Sequence, residues 1–170
     1  TQYLVTRPQN TGKGTLKGFE ITYQQFLDFL PDAFKGLGVQ ANYTHIDGKT
    51  DDPANPGQQQ QITQVAKNNY NLILIYEKGP FSSRLAYTWR GEYIDSYNQP
   101  GLQPNTVYVQ PTRTLDFSAS YDFTKSITIT FDATNLLGSE YKDLFGPTAM
   151  FNRDVRNYDT TYSVGARFRF

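Results

Sequence analysis

Alternation of apolar and polar residues is the strongest pattern in this chain, and it is clearest at the carboxyl end. In an extended strand successive side chains point to opposite faces, so residues two apart share a face. Ser163, Gly165, Arg167 and Arg169 fall on one face of the segment 162–170. The opposite face is wholly apolar and carries Tyr162, Val164, Ala166, Phe168 and Phe170. This strand therefore has one face suited to lipid and one suited to water.

The same period of two recurs along the chain and predicts an all-β, antiparallel fold with about eight strands. The predicted strands cover residues 2–6, 16–25, 37–44, 69–77, 82–93, 115–121, 127–133 and 162–170. Short turns are predicted at 26–36, 78–80 and 122–125, and long polar loops at 47–66, 95–110 and 138–157. Short turns on one side and long loops on the other are typical of transmembrane antiparallel β-barrels.

Hydropathy agrees with such a barrel. No run approaches the ~18 consecutive apolar residues of a membrane helix, but barrel strands need only ~9–11 residues and show lipid an apolar side chain at every second position. Aromatic residues make up 15% of the chain, and girdles at the two membrane interfaces would use them. Ile73 and Ile75 fall on the polar face of their strand, where we expect them to pack against something inside the barrel.

Composition excludes several kinds of function. Sixteen basic and sixteen acidic residues balance, which argues against nucleic-acid binding. Without cysteine and with one histidine, His45, neither a disulfide nor a zinc site is predicted, and we expect no cofactor. No catalytic pair of carboxylates is defined by spacing, so we do not predict an enzyme. The aspartates in loop 47–66, Asp47, Asp51 and Asp52, fit a calcium site or a solvated loop, and this choice stays open.

Several segments resemble the C-terminal third of TonB-dependent transporters. They are residues 18–21, 23–31, 36–44 and 76–81, the run Asn135-Leu136-Leu137-Gly138-Ser139-Glu140-Tyr141, and the terminal strand. The resemblance implies that residues 1–170 are the C-terminal segment of a roughly 22-stranded barrel in the bacterial outer membrane. It also implies that the plug domain lies outside this chain. The implied partners are outer-membrane lipid, the plug domain, the remaining barrel strands, TonB acting through the plug, and a small-molecule nutrient.

The resemblance further implies that the barrel-assembly machinery reads the terminal strand through Tyr162, Val164, Ala166, Phe168 and Phe170. The function implied is energised nutrient uptake. Because the loops are neutral, polar and aromatic, a carbohydrate is the favoured cargo and a ferric siderophore the second. Candidate substrate contacts in the outer loops are Tyr97, Tyr108, Phe145, Phe151 and Tyr158. The alternatives are a complete eight-stranded barrel serving as adhesin or anchor, and a soluble carbohydrate-binding β-sandwich.

Strand pairing also predicts a charge cluster in the lumen. A tight turn at 122–125 would set Tyr121 opposite Ile127 and Asp116 opposite Asp132. The next pairing would set Gly165 opposite Asp132 and bring Arg167 diagonally beside it, while Arg90 could face Asp116. The hypothesis is that Asp116, Asp132, Arg167 and Arg90 form a lumenal cluster that braces the wall against the plug.

Overall fold

The computed structural model describes residues 12–53, 55–97, 106–146 and 151–170. Within these ranges the chain is almost entirely β-structure, with one short 3₁₀ turn at Asp32–Phe34. The strands are β1 (Gly14–Phe26), β2 (Leu37–Asp51), β3 (Gln59–Gln61), β4 (Asn68–Lys78), β5 (Phe81–Arg90), β6 (Tyr93–Ser96), β7 (Val107–Val109), β8 (Thr112–Thr124), β9 (Ile127–Thr134), β10 (Glu140–Phe145), β11 (Phe151–Asn157) and β12 (Thr161–Phe168). None of the helical structure in these ranges is long and apolar enough to cross a membrane.

The long strands form one antiparallel sheet, the wall, in the order β1-β2-β4-β5-β8-β9-β12, with β3 paired to the end of β2. Each wall strand lies beside its predecessor along the chain, so the sheet is a meander. The all-β, antiparallel prediction is confirmed. The predicted strand at 2–6 lies outside the described residues.

The two faces of the wall differ sharply in chemistry. On the apolar face large side chains are exposed, including Phe19, Ile21, Leu74, Phe131 and Val164, the last at 77%. A soluble sheet would cover such a face, since contiguous exposed apolar surface is avoided by soluble monomers. The polar face is lined by the alternate residues, among them the cross-strand row Asn42, Asn71 and Thr88. The wall therefore has one face for lipid and one for water.

Aromatic rings cluster at one end of the apolar face. The Tyr70 ring stacks on Trp89, with ring centroids 5.1 Å apart, and Phe19 stacks on His45 at 5.5 Å. Both pairs lie toward the ends of their strands that lead into the long loops. Such a belt is typical of side chains at a membrane–water interface.

Ile75 lies on the polar face, as its position in the sequence predicts, yet only 7% of it is exposed. Phe26, Gly38 and Ile75 form one cross-strand row on that face. The Phe26 ring lies over Gly38, so close that a β-carbon at Gly38 would come within 3.1 Å of it. The Phe26 ring therefore covers the strand between β1 and Ile75.

The long loops contain a second sheet, the outer sheet, in the order β11-β10-β7-β6. The prediction of long loops at 95–110 and 138–157 is therefore wrong in part, since strands form there, and β2 and β3 extend into the predicted loop 47–66. These strands are short, and the pairing of β7 with β10 joins segments far apart in sequence. They form because Val107, Val109, Ile94 and Leu144 are nearly or fully buried there.

The predicted register at the β8–β9 hairpin is also wrong. Tyr121 lies opposite Ile129 instead of Ile127, and Asp132 lies opposite Ser118 instead of Asp116. The hairpin closes with Thr124 paired to Ile127, and a bulge between Asp122 and Thr124 adds a residue to β8. The register of β12 also differs from the prediction: Gly165 lies opposite Thr130 instead of Asp132.

Candidate functional site: the polar face and the outer sheet

A band of hydrogen-bonding side chains, neutral apart from Glu20, crosses the polar face of the wall. The Asn42 side-chain amide donates to Glu20 and, at 3.0 Å, to Thr22 Oγ1. On the neighbouring strands the Thr88 hydroxyl donates to Asn71 Oδ1 at 2.5 Å. Amides and hydroxyls both donate and accept, so this polar band can exchange hydrogen bonds with a ligand rich in hydroxyl groups.

Closer to the short turns, the polar face forms a groove of about 370 Å³. Its floor includes Ser82 and Ser120, whose hydroxyls lie 2.8 Å apart. Its charged lining residues are Arg84, Asp132 and Arg167. Arg84 also lies near Glu77, with a nitrogen–oxygen distance of 3.6 Å. The wall register places these charges together, and we call this groove the charged groove.

Asp132 and Arg167 of the predicted cluster therefore share a groove, but Asp116 and Arg90 do not line it. The Asp116 carboxylate accepts a hydrogen bond from the backbone N–H of Asn135 at 2.8 Å. Arg90 donates to the Gln64 carbonyl at 3.0 Å, and its guanidinium lies 4.1 Å from the centre of the Tyr93 ring. The two-residue shift in register separates Asp116 from Asp132, and Arg84 takes the place expected for Arg90.

An ion pair between the buried Asp143 and the partly exposed Arg153 joins β10 to β11 in the outer sheet. The Asp143 side chain is fully buried and accepts two hydrogen bonds from the Arg153 guanidinium, at 2.9 and 2.5 Å. The Tyr141 hydroxyl donates to the same carboxylate at 3.1 Å. Arg153 occupies a bulge opposite the step from Asp143 to Leu144, which turns its side chain toward β10. We call these three residues the Asp143 cluster.

Titration of the Asp143 cluster follows from these contacts. Burial alone would raise the pKa of Asp143, but the hydrogen bonds and charge of Arg153 outweigh it and lower the pKa below its usual value of 3.8. Burial and the neighbouring Asp143 carboxylate raise the pKa of Tyr141 from 10.0 to about 12. The cluster is therefore an ionised carboxylate with a neutral phenol at ordinary pH.

The predicted aromatic contacts are dispersed over the outer sheet. Tyr97 is held by a hydrogen bond from its hydroxyl to the Gln61 carbonyl at 3.0 Å, and Tyr108 lines a nearby cleft. Phe145 pairs with Phe151 across β10 and β11, and the Phe151 side chain is 59% exposed. Tyr158 is exposed beside Asn135, whose amide donates to its carbonyl. The structure thus shows one cross-strand pair among these five residues, Phe145 and Phe151.

The terminal strand keeps the predicted division of faces. Tyr162, Val164, Ala166 and Phe168 pair with Ala133, Phe131, Ile129 and Ile127 of β9, all on the apolar face. Tyr162 and Phe131 stack with ring centroids 6.4 Å apart. Phe170 lies beyond the end of β12 and is exposed. Four of the five residues of the predicted assembly signal therefore form one continuous apolar strip.

The aspartates after β2 are engaged by the chain itself. Asp51 Oδ2 accepts a hydrogen bond from the Lys13 backbone N–H at 2.9 Å, and Asp52 Oδ2 accepts one from the Asn55 amide at 2.7 Å. Across the described ranges, no group of three or more His, Cys, Asp or Glu residues is arranged to hold a metal ion.

Sequence reasoning missed three important features: the Asp143–Arg153 pair, Arg84 in the charged groove, and the clefts beside Trp89. Arg84 carried a usable signal, because it alternates with Leu85 on a strand whose faces were assigned correctly. For Asp143 and Arg153 the pattern held no signal, since they belong to short strands joined by a bulge.

Comparison with known proteins supports the interpretation that one face of the wall meets lipid and the other meets water. The family model for the TonB dependent receptor-like β-barrel matches residues 1–136, most of the chain. No curated protein matches the chain, and no solved structure matches it. The match covers the wall strands through β9, which are the ones that carry the apolar face, the polar band and most of the charged groove. The chain therefore belongs to the TonB-dependent receptor β-barrel family, a family of transport receptors of the bacterial outer membrane.

Proposed function

We propose that this chain forms the C-terminal part of the wall and outer vestibule of a receptor that imports a small polar nutrient with energy delivered by TonB. The apolar face then meets lipid, and the polar face lines the lumen. In this arrangement residues 1–170 are one segment of the barrel, and the plug and remaining strands come from other parts of the receptor. TonB acts through the plug. The family consists of transport receptors, and we expect no catalysis.

The cargo we favour is a carbohydrate, and the polar band is the observation that carries this choice. Asn42, Asn71 and Thr88 offer neutral donors and acceptors on adjacent strands, which matches the hydroxyls of a sugar. A ferric siderophore is the second candidate, and it would draw on the lumenal arginines. Tyr97, Tyr108, Phe145, Phe151 and Tyr158 are proposed outer contacts, because rings pack against the apolar faces of sugars.

The charged groove is our proposed contact for the plug. Arg84, Asp132 and Arg167 lie at the end of the lumen nearest the short turns, and Ser82 and Ser120 add hydroxyls. A groove lined by charges and hydroxyls can hold the plug through polar contacts. Such contacts exchange readily with water, so the plug can be displaced when TonB pulls on it. Asp132 and Arg167 keep the bracing role expected from the sequence, with Arg84 as their partner.

Uptake by cells carrying the full-length receptor tests the proposal. Labelled oligosaccharide uptake should require both the receptor and TonB, and Asn71→Leu with Thr88→Val should raise the half-saturating concentration about tenfold, as two lost hydrogen bonds predict. Leu72→Val, on the lipid side beside Asn71, is the matched control and should leave uptake unchanged. Receptor-dependent uptake of a ferric siderophore with no oligosaccharide uptake would replace the carbohydrate assignment.

A further inference from the structure

Trp89 is the single tryptophan of the chain, and it lies on the apolar face at the outer end of β5. Its ring stacks on Tyr70, with an angle of 17° between the ring planes. Above this belt the wall does not continue smoothly into the outer sheet. Two clefts open on either side of Trp89, one of about 440 Å³ and one of about 370 Å³.

The larger cleft lies on the lipid side of the wall. Asn68, Trp89 and Gly91 form its base, and these residues share the apolar-face register with Tyr70. Asn68 is fixed there, because its Oδ1 lies 2.8 Å from both the Tyr43 hydroxyl and His45 Nδ1. Tyr108 of the outer sheet lies along the upper side. The cleft thus opens toward the membrane at the depth where lipid headgroups begin.

The lining combines aromatic rings with polar groups whose charges are balanced. Lys67 lies near Asp47, with 3.8 Å between Nζ and Oδ1, and Glu92 accepts a hydrogen bond from the Gln110 amide at 3.0 Å. An anion site would carry an excess of cations, which this cleft lacks. Rings beside neutral donors and acceptors suit a saccharide, whose C–H faces pack on rings while its hydroxyls form hydrogen bonds.

We propose that the cleft beside Trp89 binds a saccharide unit in the headgroup of an outer-leaflet glycolipid. A soluble sugar on its way through the lumen would not reach this side of the wall, whereas a lipid-borne sugar is held at this depth by its own acyl chains. The site anchors the receptor among particular lipids and fixes the outer sheet at the membrane surface. This inference depends on the membrane placement of the wall and is independent of the cargo.

Trp89 fluorescence provides the test. The full-length receptor and its Trp89→Phe variant are placed in phosphatidylcholine nanodiscs with or without lipopolysaccharide, and the difference between their emission spectra isolates Trp89. We expect a shift in this difference spectrum that saturates with lipopolysaccharide content. The same Trp89 emission spectrum in nanodiscs with and without lipopolysaccharide would overturn the proposal, because Trp89 would then be an ordinary interfacial ring.

Two variants and a soluble probe complete the experiment. Gln61→Leu with Lys67→Leu removes polar lining groups and should weaken the lipopolysaccharide response about fivefold for each hydrogen bond lost. Thr114→Val, on the lumenal face of β8 next to Arg113, the strand partner of Trp89, is the matched control and should respond like the wild type. Heat-modifiable migration on gels confirms that each variant is folded. An undiminished response in the double variant, or an equal response to a lipid-free core oligosaccharide, would refute a lipid-borne saccharide.

Discussion

The fully buried Asp143 carboxylate stabilises the outer sheet through charge-assisted hydrogen bonds from the partly exposed Arg153. Asp143→Asn replaces one carboxylate oxygen by an amide nitrogen that cannot accept from Arg153, so we expect a loss of about 1.5–3 kcal/mol in local stability. Hydrogen exchange of the β10 and β11 amides in the full-length receptor measures this loss. Asp154→Asn is the control, since the partly exposed pair with Arg156 should contribute only about 0–1 kcal/mol.

The pH dependence of the same sheet follows from the direction of its pKa shifts. The lowered pKa of Asp143 contributes stability that is present above 3.8 and is lost as pH falls through the folded value. The raised pKa of Tyr141 contributes stability that is present below 10.0 and is lost as pH rises toward about 12. The protection factors of the β10 amides, corrected for the pH dependence of intrinsic exchange, should therefore be constant between about pH 3.8 and pH 10.0. In Tyr141→Phe the alkaline loss should disappear and the acid loss remain.

Phe117 and Ser118 are adjacent residues with opposite surroundings. Phe117 lies on the lipid face, 6.1 Å from the Phe131 ring, and Ser118 lines the charged groove. Phe117→Arg should cost about 2–4 kcal/mol of barrel stability if it lies near the bilayer midplane, whereas Ser118→Arg should cost little. Denaturant unfolding of the full-length receptor in lipid vesicles compares them. Equal unfolding midpoints for the two variants would show that the faces of β8 are assigned wrongly.

Among the elements, β12 combines a wall role with a proposed role in assembly. Its apolar side chains form a strip that ends in the exposed Phe170, which has no strand partner in the described structure. Deleting Phe170 should therefore lower the amount of receptor in the outer membrane while leaving the wall contacts of β12 intact. Immunoblots of membrane fractions measure this amount. Arg169→Ala with Phe170 retained is the control, and unchanged levels without Phe170 would contradict an assembly signal.

Wall strands could be predicted from the sequence because lipid on one face and water on the other impose an unbroken alternation. Phe19 and Ile21 on β1, for example, alternate with Glu20 and fix its outward face without any knowledge of its neighbours. The outer sheet could not be predicted in this way. Its strands, such as β7, have only three residues, and Val107 and Val109 are recognisable as core only once β10 is known to lie beside them.

At the scale of the whole molecule, an error in the predicted register of one strand pair is carried over to every later strand of the wall. The faces of Asp132 and Arg167 were predicted correctly from alternation, since a shift of two residues preserves the face. Their neighbours were not, because the hairpin closes at Thr124 and Ile127 and carries a bulge between Asp122 and Thr124, which together shift Asp116 away from Asp132 by two residues. The polar face could therefore be predicted from the sequence, whereas the residues that line the charged groove depend on the exact strand register.

The orientation of the whole wall gives the last prediction. Long connections and the outer sheet lie at one end of the wall strands, and the short turns lie at the other, so the former should face the cell exterior. The chain has no cysteine, which allows single reporters to be introduced in it. In intact cells, Gln58→Cys of the full-length receptor should react with a polyethylene glycol maleimide too large for outer-membrane pores. Lys125→Cys, in the short β8–β9 turn, should react only after the outer membrane is permeabilised. Labelling of Lys125→Cys but not Gln58→Cys in intact cells would reverse the orientation and place the Trp89 clefts at the periplasmic interface, where a glycolipid of the outer leaflet could not reach them.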